Sequence, residues 1–154
     1  MLRVVQGGVS VERWALFKLP WIGDFGKCIS LGIVRDSKLI AAAIYNNYVH
    51  YDCQLTFVSD DPRWASRQVV RQVLGFPFYE LGTFRITTLT DANNHKALKL
   101  NEKLGFVREG VMRKASPMGN GNDGVICGLT KEDFEEGVYS GQVSTRQSRP
   151  SGFD

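Results

Sequence analysis

Residues 55–67, LTFVSDDPRWASR, connect a strand to a helix within a few positions. The apolar-rich run of residues 51–58 is typical of a strand inside a sheet. Asp61 precedes Pro62. An aspartate at the N-cap with proline at the first helical position is a typical helix start, because that first N–H has no partner in the helix anyway. The stretch therefore predicts a strand, a short loop and a helix that begins at about Pro62.

Strands and helices alternate on both sides of this stretch. Apolar spacing predicts, in chain order, a helix over residues 10–19, strands over 28–34, 39–45 and 51–58, the helix from Pro62 to about 81, a strand over 84–90, a helix over 94–104, and strands over 106–113 and 125–129. Gly105 suits the left-handed position that follows a last helical turn. This order predicts an α/β (α+β) domain in which helices cover a mixed sheet.

Length and composition indicate one soluble domain with a small positive charge. The chain has 154 residues, 43% of them hydrophobic, and its 19 basic and 16 acidic side chains leave a net charge of +3. The surplus is small and interspersed, unlike the clustered basic face of a duplex-binding protein. Nucleic acid is therefore not an expected partner, although a local patch can still bind an anionic ligand.

No disulfide framework, metal site or membrane span is expected. Cys28, Cys53 and Cys127 are odd in number and form no C-x-x-C pair. The chain has no run of roughly 18 apolar residues, and its start, MLRVVQGG, lacks the apolar core of a secretion signal. We therefore expect a cytoplasmic protein.

Two segments have compositions that do not favour packed structure. Residues 138–154 are rich in Ser, Gly, Gln and Arg, and such a segment buries too little apolar surface to offset its ordering entropy. We expect a folded domain over residues 1–137 and a flexible C-terminal tail over 138–154, with a homodimer or assembly through that tail left open. Residues 119–124, GNGNDG, lack the P-loop Lys and the spaced acidic ligands of an EF-hand, which favours a flexible hairpin loop.

Three segments resemble the GNAT family of N-acetyltransferases. They are residues 55–67, residues 78–86 (FYELGTFRI) and residues 94–110 (NHKALKLNEKLGFVREG). The chain is most similar to the short branch found in bacteriophages and prophages, which itself resembles ribosomal-protein N-terminal acetyltransferases. The resemblance covers about residues 29–130, and its most specific part is the Asn94 to Gly110 run.

The resemblance implies a fold and a reaction. The fold is a mixed, mostly antiparallel sheet of six to seven strands flanked by helices. The reaction is transfer of an acetyl group from acetyl-CoA to a primary amine on a protein N-terminus, a small molecule or a modified base. The cofactor is expected in a splay between the strand that ends at Val58 and the strand that starts at Phe84.

The resemblance also implies cofactor-binding residues. Backbone groups of residues 56–58 pair with the amides of the pantetheine arm, and Asn94 binds its far end. The helix start at residues 63–67 offers unpaired N–H groups and a positive dipole end to the pyrophosphate. Arg63 and Arg67 add charge-assisted hydrogen bonds. The full candidate set is Thr56, Phe57, Val58, Arg63, Trp64, Ala65, Ser66, Arg67 and Asn94.

The chain departs from the family at the phosphate loop. Most members carry R/Q-x-x-G-x-G/A there, whereas this chain has Arg63, Trp64, Ala65 and Ser66 without a glycine. Ala65 and Ser66 are small enough for a normal helical turn to present its amides. Trp64 must either point away or stack on the cofactor.

A second departure concerns catalysis. Many relatives carry a tyrosine acid seven residues after the motif asparagine, and here Asn101 takes that place. A thiol pKa of about 8.5 allows a CoA thiolate to leave without an acid, and Asn101 can still orient the sulfur through a hydrogen bond. Asp52, at the start of the central strand, is the candidate base. An exposed strand-edge aspartate is the alternative interpretation.

The two departures support an alternative function. A catalytically silent member of the same fold could serve as a binding or structural component, for instance in a phage particle. The sequence leaves both the enzyme and this binding component open.

Overall fold

The computed structural model describes residues 1–140, which form seven strands and four α-helices. In chain order they are β1 Leu2–Gln6, α1 Val9–Lys18, β2 Cys28–Arg35, β3 Lys38–Val49, β4 Asp52–Ser59, α2 Arg67–Tyr79, β5 Arg85–Asp91, α3 His95–Lys103, β6 Val107–Met112, β7 Gly124–Thr130 and α4 Lys131–Glu136. One turn of 3-10 helix, Pro62–Trp64, lies between β4 and α2.

All seven strands form one sheet in the order β1-β2-β3-β4-β5-β7-β6. The β4–β5 pair is parallel and the other neighbouring pairs are antiparallel. The mixed, mostly antiparallel sheet flanked by helices is therefore confirmed. Strand β1 and the short helix α4 were not predicted from the sequence. Strand β1 is a five-residue edge strand, and its pairing with β2 supplies the order that its own short pattern does not.

Alternate residues of β3 face two separate apolar clusters. One cluster contains Ala41, Ala43 and Tyr45 with buried side chains of α2, α3 and α4. The other contains Ala42 and Ile44 with the buried residues of α1. Because neighbouring strand residues point to opposite faces, α2, α3 and α4 cover one face of the sheet, here called the α2 face. Helix α1 covers part of the other, the α1 face.

The helix expected from Pro62 begins five residues later. The Asp61 carboxylate accepts the Arg63 N–H at 2.9 Å and so caps only the single 3-10 turn. The chain then leaves helical geometry, and the Ser66 hydroxyl caps α2 by accepting the Val69 N–H at 3.1 Å. The sequence contains two successive caps, of which only the first was recognised.

The end of the described chain contacts the domain. The Arg67 guanidinium donates to the Val138 carbonyl at 2.9 Å, and Tyr139 packs against the larger apolar cluster. The Ser140 hydroxyl donates to the Glu135 carbonyl at 2.9 Å. Residues 141–154 of the predicted tail lie outside the described residues, and the domain boundary predicted at residue 137 stays a prediction.

Candidate active site

The parallel strands β4 and β5 separate along their length. They pair at three positions only, with Asp52 opposite Arg85 and the last pair at Gln54 and Thr87. Beyond that point β4 stays paired to β3 and β5 to β7, so the facing backbone edges of the two strands have no strand between them. This is the splay that the family resemblance implies, and it opens towards the carboxyl ends of both strands.

A cleft of about 200 Å³ occupies the splay. Its walls come from β4, β5, α2, α3, the segment after α1 and the β6–β7 connection. They include Leu19, Trp21, Ile22, Leu55, Thr56, Phe57, Trp64, Val70, Thr88, Leu89, Thr90, Asp91, Asn94, Ala97, Leu100, Asn101, Leu104, Pro117 and Met118. The lining is mostly apolar, with a few neutral polar groups and the Asp91 carboxylate.

Side chains from both faces of the sheet line the cleft. Phe57 is paired with Ala43 and lies on the α2 face, whereas Thr56 is paired with Ile44 and lies on the α1 face. On β5, Thr88 and Leu89 lie on opposite faces by the same alternation. Strand residues that point to opposite faces of the sheet therefore line the same cleft. Groups from the two sides of the sheet can contact a ligand there.

Asn101 lies in the wall and is bound to two threonines. Its Nδ2 amide donates to Thr88 Oγ1 at 3.2 Å and to Thr90 Oγ1 at 3.3 Å. Both amide protons of Asn101 are thereby engaged, whereas the Thr90 hydroxyl only accepts and keeps its O–H for a ligand. Neither threonine was predicted as a site residue, because a β-branched strand residue is typical whether or not it borders a cleft.

A buried thiol lies behind this trio. Cys127 pairs with Thr88 across β5 and β7 and is fully buried. Burial raises the pKa of the Cys127 thiol, although hydrogen bonds from Asn101 and Thr88 lower it in part. The thiol therefore stays protonated, and it is an inert part of the wall.

Asn94 lies where the cleft meets α3. Its Oδ1 atom accepts the Ala97 N–H at 3.1 Å, so it is the N-cap of that helix. Asn94 lines the cleft, and its Nδ2 group makes no hydrogen bond within the described part of the chain. One side chain thus caps the helix and keeps a donor for a ligand.

Asp91 organises the connection that covers one end of the cleft. Its carboxylate accepts hydrogen bonds from Ser116 Oγ at 2.6 Å, Asn120 Nδ2 at 2.8 Å, Asn122 Nδ2 at 3.3 Å and the Asn93 N–H at 2.8 Å. These bonds, with Ser116 the strongest contributor, lower the pKa of Asp91 to about 2. The glycine-rich loop expected to be a flexible hairpin is therefore tied to β5, and it places Pro117 and Met118 in the cleft wall.

The start of α2 adjoins the cleft through Val70, but the two arginines expected there are engaged elsewhere. Arg63 forms a bidentate ion pair with Asp61, with Nη2 to Oδ2 at 2.6 Å, and its hydrogen bonds lower the pKa of Asp61 to about 2. The Arg67 side chain donates to the Val138 carbonyl. Neither arginine lines the cleft, so the anion-binding groups present are the first backbone N–H groups of α2.

The residues between the two arginines take separate positions. Trp64 is 5% exposed and packs on Phe57 with ring centroids 4.3 Å apart. It lines the cleft and does not point away, so stacking of Trp64 on a cofactor stays a prediction. Ala65 and Val58 do not line the cleft, and Ser66 is the α2 cap rather than a residue within a helical turn.

Asp52 lies away from the cleft, in a polar cluster at the paired end of β4 and β5. It accepts a hydrogen bond from Thr87 Oγ1 at 2.8 Å and lies 3.6 Å from Arg85 Nε. Arg85 also binds Glu109 at 2.7 Å. The candidate base is therefore not brought to the splay, because the strands diverge only beyond Gln54. The ion pair of Asp52 with Arg85 could not be predicted from the sequence, because Arg85 lies on another strand and comes close only in the folded sheet.

The described residues contain neither a membrane-spanning helix nor a cluster of metal-ligating side chains. None of their helices is long and apolar enough to cross a membrane. No group of three or more His, Cys, Asp or Glu side chains among residues 1–140 is placed to hold a metal ion.

Comparison with known proteins finds N-acetyltransferases. A prophage-derived uncharacterized N-acetyltransferase, YokL of Bacillus subtilis, is 37% identical over 71 residues, which are 46% of this chain and 40% of the relative. The chain thus matches less than half the length of that curated relative. No family model matches.

Solved structures of acetyltransferases share the fold. A dodecameric spermidine N-acetyltransferase from Vibrio cholerae superposes with a TM-score of 0.69 at 16% identity, covering 88% of this chain and 96% of that one. The ribosomal-protein-S5-alanine acetyltransferase from Vibrio fischeri gives a TM-score of 0.58 at 20% identity, covering 79% and 71%. These likenesses show the fold and confirm the resemblance seen in the sequence.

Proposed function

We propose that this chain, which has the GNAT acetyltransferase fold, transfers an acetyl group from acetyl-CoA to a primary amine in the cytoplasm. The observation that carries the proposal is the cleft in the β4–β5 splay, which is lined by side chains from both faces of the sheet. Its α2 face meets the start of a helix, where a phosphate can bind, and its α1 face is lined by side chains of a different segment. Two substrates can therefore approach one point from opposite sides.

The residues present fit acetyl-CoA. The unpaired edge of β4 at residues 56–58 can hydrogen-bond the amides of the pantetheine arm as an added strand does. The Asn94 Nδ2 group can donate to a carbonyl of that arm. The first N–H groups of α2, at Arg67 and Gln68, can bind the pyrophosphate because they lack partners in the helix and lie at its positive dipole end. The apolar walls of the cleft can pack against the methylene groups of the pantetheine arm and the methyl group of the acetyl group.

The chemistry of the site is modest. Bound acetyl-CoA supplies the acetyl group as a thioester, whose sulfur leaves as the thiolate of a thiol with a pKa of about 8.5. Thr90 accepts from Asn101 and so keeps its O–H group to donate to developing negative charge, whereas the Thr88 hydroxyl bonds the buried Cys127 thiol. Holding the two substrates together in one cleft supplies roughly 7 to 11 kcal/mol of the barrier.

Titration with acetyl-CoA by calorimetry, followed by an assay of thiol release with a panel of amines, tests the proposal. Binding followed by amine-dependent thiol release supports it. No binding at millimolar cofactor would overturn it.

A Ser66→Asp variant locates the phosphate site. Aspartate keeps the α2 cap but brings a negative charge to the helix start, so we expect acetyl-CoA to bind at least about tenfold more weakly. Ser66→Asn is the matched control, because it caps the helix without charge and should bind nearly as the natural chain does. Equal affinity of both variants would refute the placement.

One observation favours the binding component over the enzyme. Arg63 and Arg67 are both bound within the chain, and a pyrophosphate must be held by backbone groups alone. Binding of acetyl-CoA without turnover of any amine would support this second function. A homodimer or an assembly through the tail remains a proposal, which the mass of the protein in solution would test.

A further inference from the structure

Exposed aromatic side chains gather at the end of the sheet where β4 and β5 begin. Tyr48 and Val49 end β3, Tyr51 lies in the turn before β4, Tyr79 ends α2, and Phe84 directly precedes β5. The four rings are 52–64% exposed. We call these five residues the aromatic end. Large apolar side chains that stay exposed together mark an interaction surface.

Hydrogen bonds hold the hairpin between β3 and β4 against the start of β5. The Tyr48 hydroxyl donates to the Leu81 carbonyl at 3.3 Å. The Tyr51 carbonyl accepts the Phe84 N–H at 3.1 Å. The tip of this hairpin and the connection from α2 to β5 are therefore neighbours on one rigid platform.

Tyr79 joins the same platform through α4. Its hydroxyl donates to Glu135 at 2.7 Å, and Lys131 Nζ lies 5.4 Å from the centre of its ring. The Lys131 N–H donates to the Phe84 carbonyl at 2.9 Å. Two of the four rings are thus held by their hydroxyls, and the other two extend from paired backbone, so a partner that binds here has little ordering entropy to offset.

The exposed rings provide much of the area that a stable interface needs. An aromatic side chain presents roughly 200 Å² when fully exposed, so four rings with 52–64% exposure present about 450 Å². A standard interface covers about 800 Å² on each partner. The rings supply more than half of that area, and Val49 and the exposed His50 extend it.

The surface is poor in charge. Residues 46–51 and 81–84 contain no charged side chain. Arg85, at the start of β5, is paired with Asp52 and Glu109. A single-stranded nucleic acid needs cations beside the rings on which its bases stack, so this surface suits an apolar protein surface better than a polyanion.

Low charge also makes the aromatic end compatible with its own copy. In a two-fold dimer the same surface lies on both sides of the interface, so a strongly charged surface repels itself. Lys96, Lys99 and Lys103 on α3 form no ion pair within residues 1–140, and two copies of that helix would repel each other. Two copies of the aromatic end have no such cost.

We propose that the aromatic end is the interface of a two-fold homodimer. The rings of one protomer pack against those of its partner and leave water, as aromatic side chains at the centre of an interface do. The cleft opens towards the carboxyl ends of β4 and β5, and β4 alone spans eight residues, about 25 Å of strand. Dimerisation at the opposite end therefore leaves both clefts open.

Sedimentation equilibrium of the full chain tests for the dimer. We expect twice the mass of one chain at about 50 μM, since an interface of this size supports a Kd in the micromolar range or tighter. A monomer at that concentration would overturn the proposal.

The variants Tyr51→Lys and Phe84→Lys locate the interface. Each brings a charge into an apolar contact, and we expect Kd for dimerisation to rise at least about tenfold. Phe17→Lys, at an 82% exposed position on α1, is the matched control and should dimerise as the natural chain does. Circular dichroism shows whether each variant is folded, and a dimer that survives in the folded variants of the aromatic end would refute the placement.

A chain that ends at residue 140 separates this interface from one formed by the tail. It should keep the dimer, because the aromatic end lies within residues 48–84. Loss of the dimer in the shortened chain, with natural affinity in Phe84→Lys, would assign association to the tail and overturn the proposal.

The inference does not depend on the proposed acetyl transfer. Phe84→Lys should bind acetyl-CoA as the natural chain does, because Phe84 does not line the cleft. Failure of the natural chain to bind acetyl-CoA would reject the proposed function, whereas only the mass measurements decide the interface.

Discussion

At the scale of single residues, a few polar side chains each join two elements at the edge of the cleft. Asn94 caps α3 and faces the cleft. Ser66 caps α2 where its first N–H groups are free for an anion. Asp91 is 4% exposed and holds the β6–β7 connection by hydrogen bonds. The shape of the cleft therefore depends on several hydrogen bonds, each of which contributes little free energy by itself.

Replacing Asp91 with asparagine should destabilise the protein, since an amide nitrogen would face N–H and O–H groups that now donate hydrogen bonds to the carboxylate. The folded pKa is about 2, below the unfolded value of about 3.9. The carboxylate therefore stabilises the fold above about pH 4, and this contribution is lost as pH falls towards about 2. Thermal unfolding should show a lower Tm for Asp91→Asn at neutral pH and a shrinking difference in acid.

Glu80→Gln is the control for that experiment, because Glu80 is exposed at the end of α2 and should melt as the natural chain does. A difference between Asp91→Asn and the natural chain that stays constant down to about pH 2 would contradict the assigned cause.

At the scale of elements, the site depends on where strands stop pairing. Strands β4 and β5 pair over three positions and then separate, while β5 continues along β7. Strand β7 must in turn pass close to the β6–β7 connection. At Gly124 an added Cβ would lie 2.4 Å from the Ala115 carbonyl oxygen and 2.9 Å from Leu89 Cδ1. Glycine is required there by close approach.

Gly124→Ala should lower the free energy of unfolding by roughly 1 to 3 kcal/mol, because backbone and a cleft residue must shift to make room. Gly110→Ala, on the neighbouring strand β6, is the matched control, since nothing lies within 4 Å of an added Cβ there. We expect that change to be within about 0.5 kcal/mol of neutral. Denaturant unfolding of both variants measures the difference, and equal stabilities would show that the close approach has no cost.

At the scale of the whole molecule, the sheet separates two apolar clusters, one on each of its faces. Helices α2, α3 and α4 bury one face, and α1 buries part of the other. The cleft passes between them where the sheet opens. The described chain ends beside α2, where Val138 and Tyr139 contact the domain, so this end of the molecule stabilises the helix whose start adjoins the cleft.

Shortened chains test the predicted tail. A chain that ends at residue 140 should unfold at the same temperature as the full chain, because residues 141–154 have the composition of a segment that buries little apolar surface. A chain that ends at residue 137 should be less stable by about 1 to 2 kcal/mol, since it loses the packing of Tyr139. Calorimetric melting of the three chains provides the test. A lower Tm for the chain ending at 140 would place structure beyond it.

Much of the fold is predictable from local pattern. The strand–turn–helix signal of residues 55–67 and the Asn94 to Gly110 run predict the unit that carries the cleft and indicate the family. Both depend on local chemistry, because caps, prolines and apolar spacing act within a few residues. The edge strand β1 was not predicted because its order depends on pairing with β2. The cap at Ser66 was not predicted because Asp61 and Pro62, a few residues earlier, already have the pattern of a helix start.

The sequence by itself determined most of the elements, β1 and α4 excepted, and the resemblance to acetyltransferases whose fold the chain shares. Only the tertiary structure decided which polar groups reach the cleft. It brings Thr88 and Thr90 to Asn101, removes Asp52 to an ion pair with Arg85, and binds Arg63 to Asp61. The physical reason is that a polar side chain is satisfied by whatever partner lies within about 3 Å, and that partner comes from another strand or loop in most of these cases.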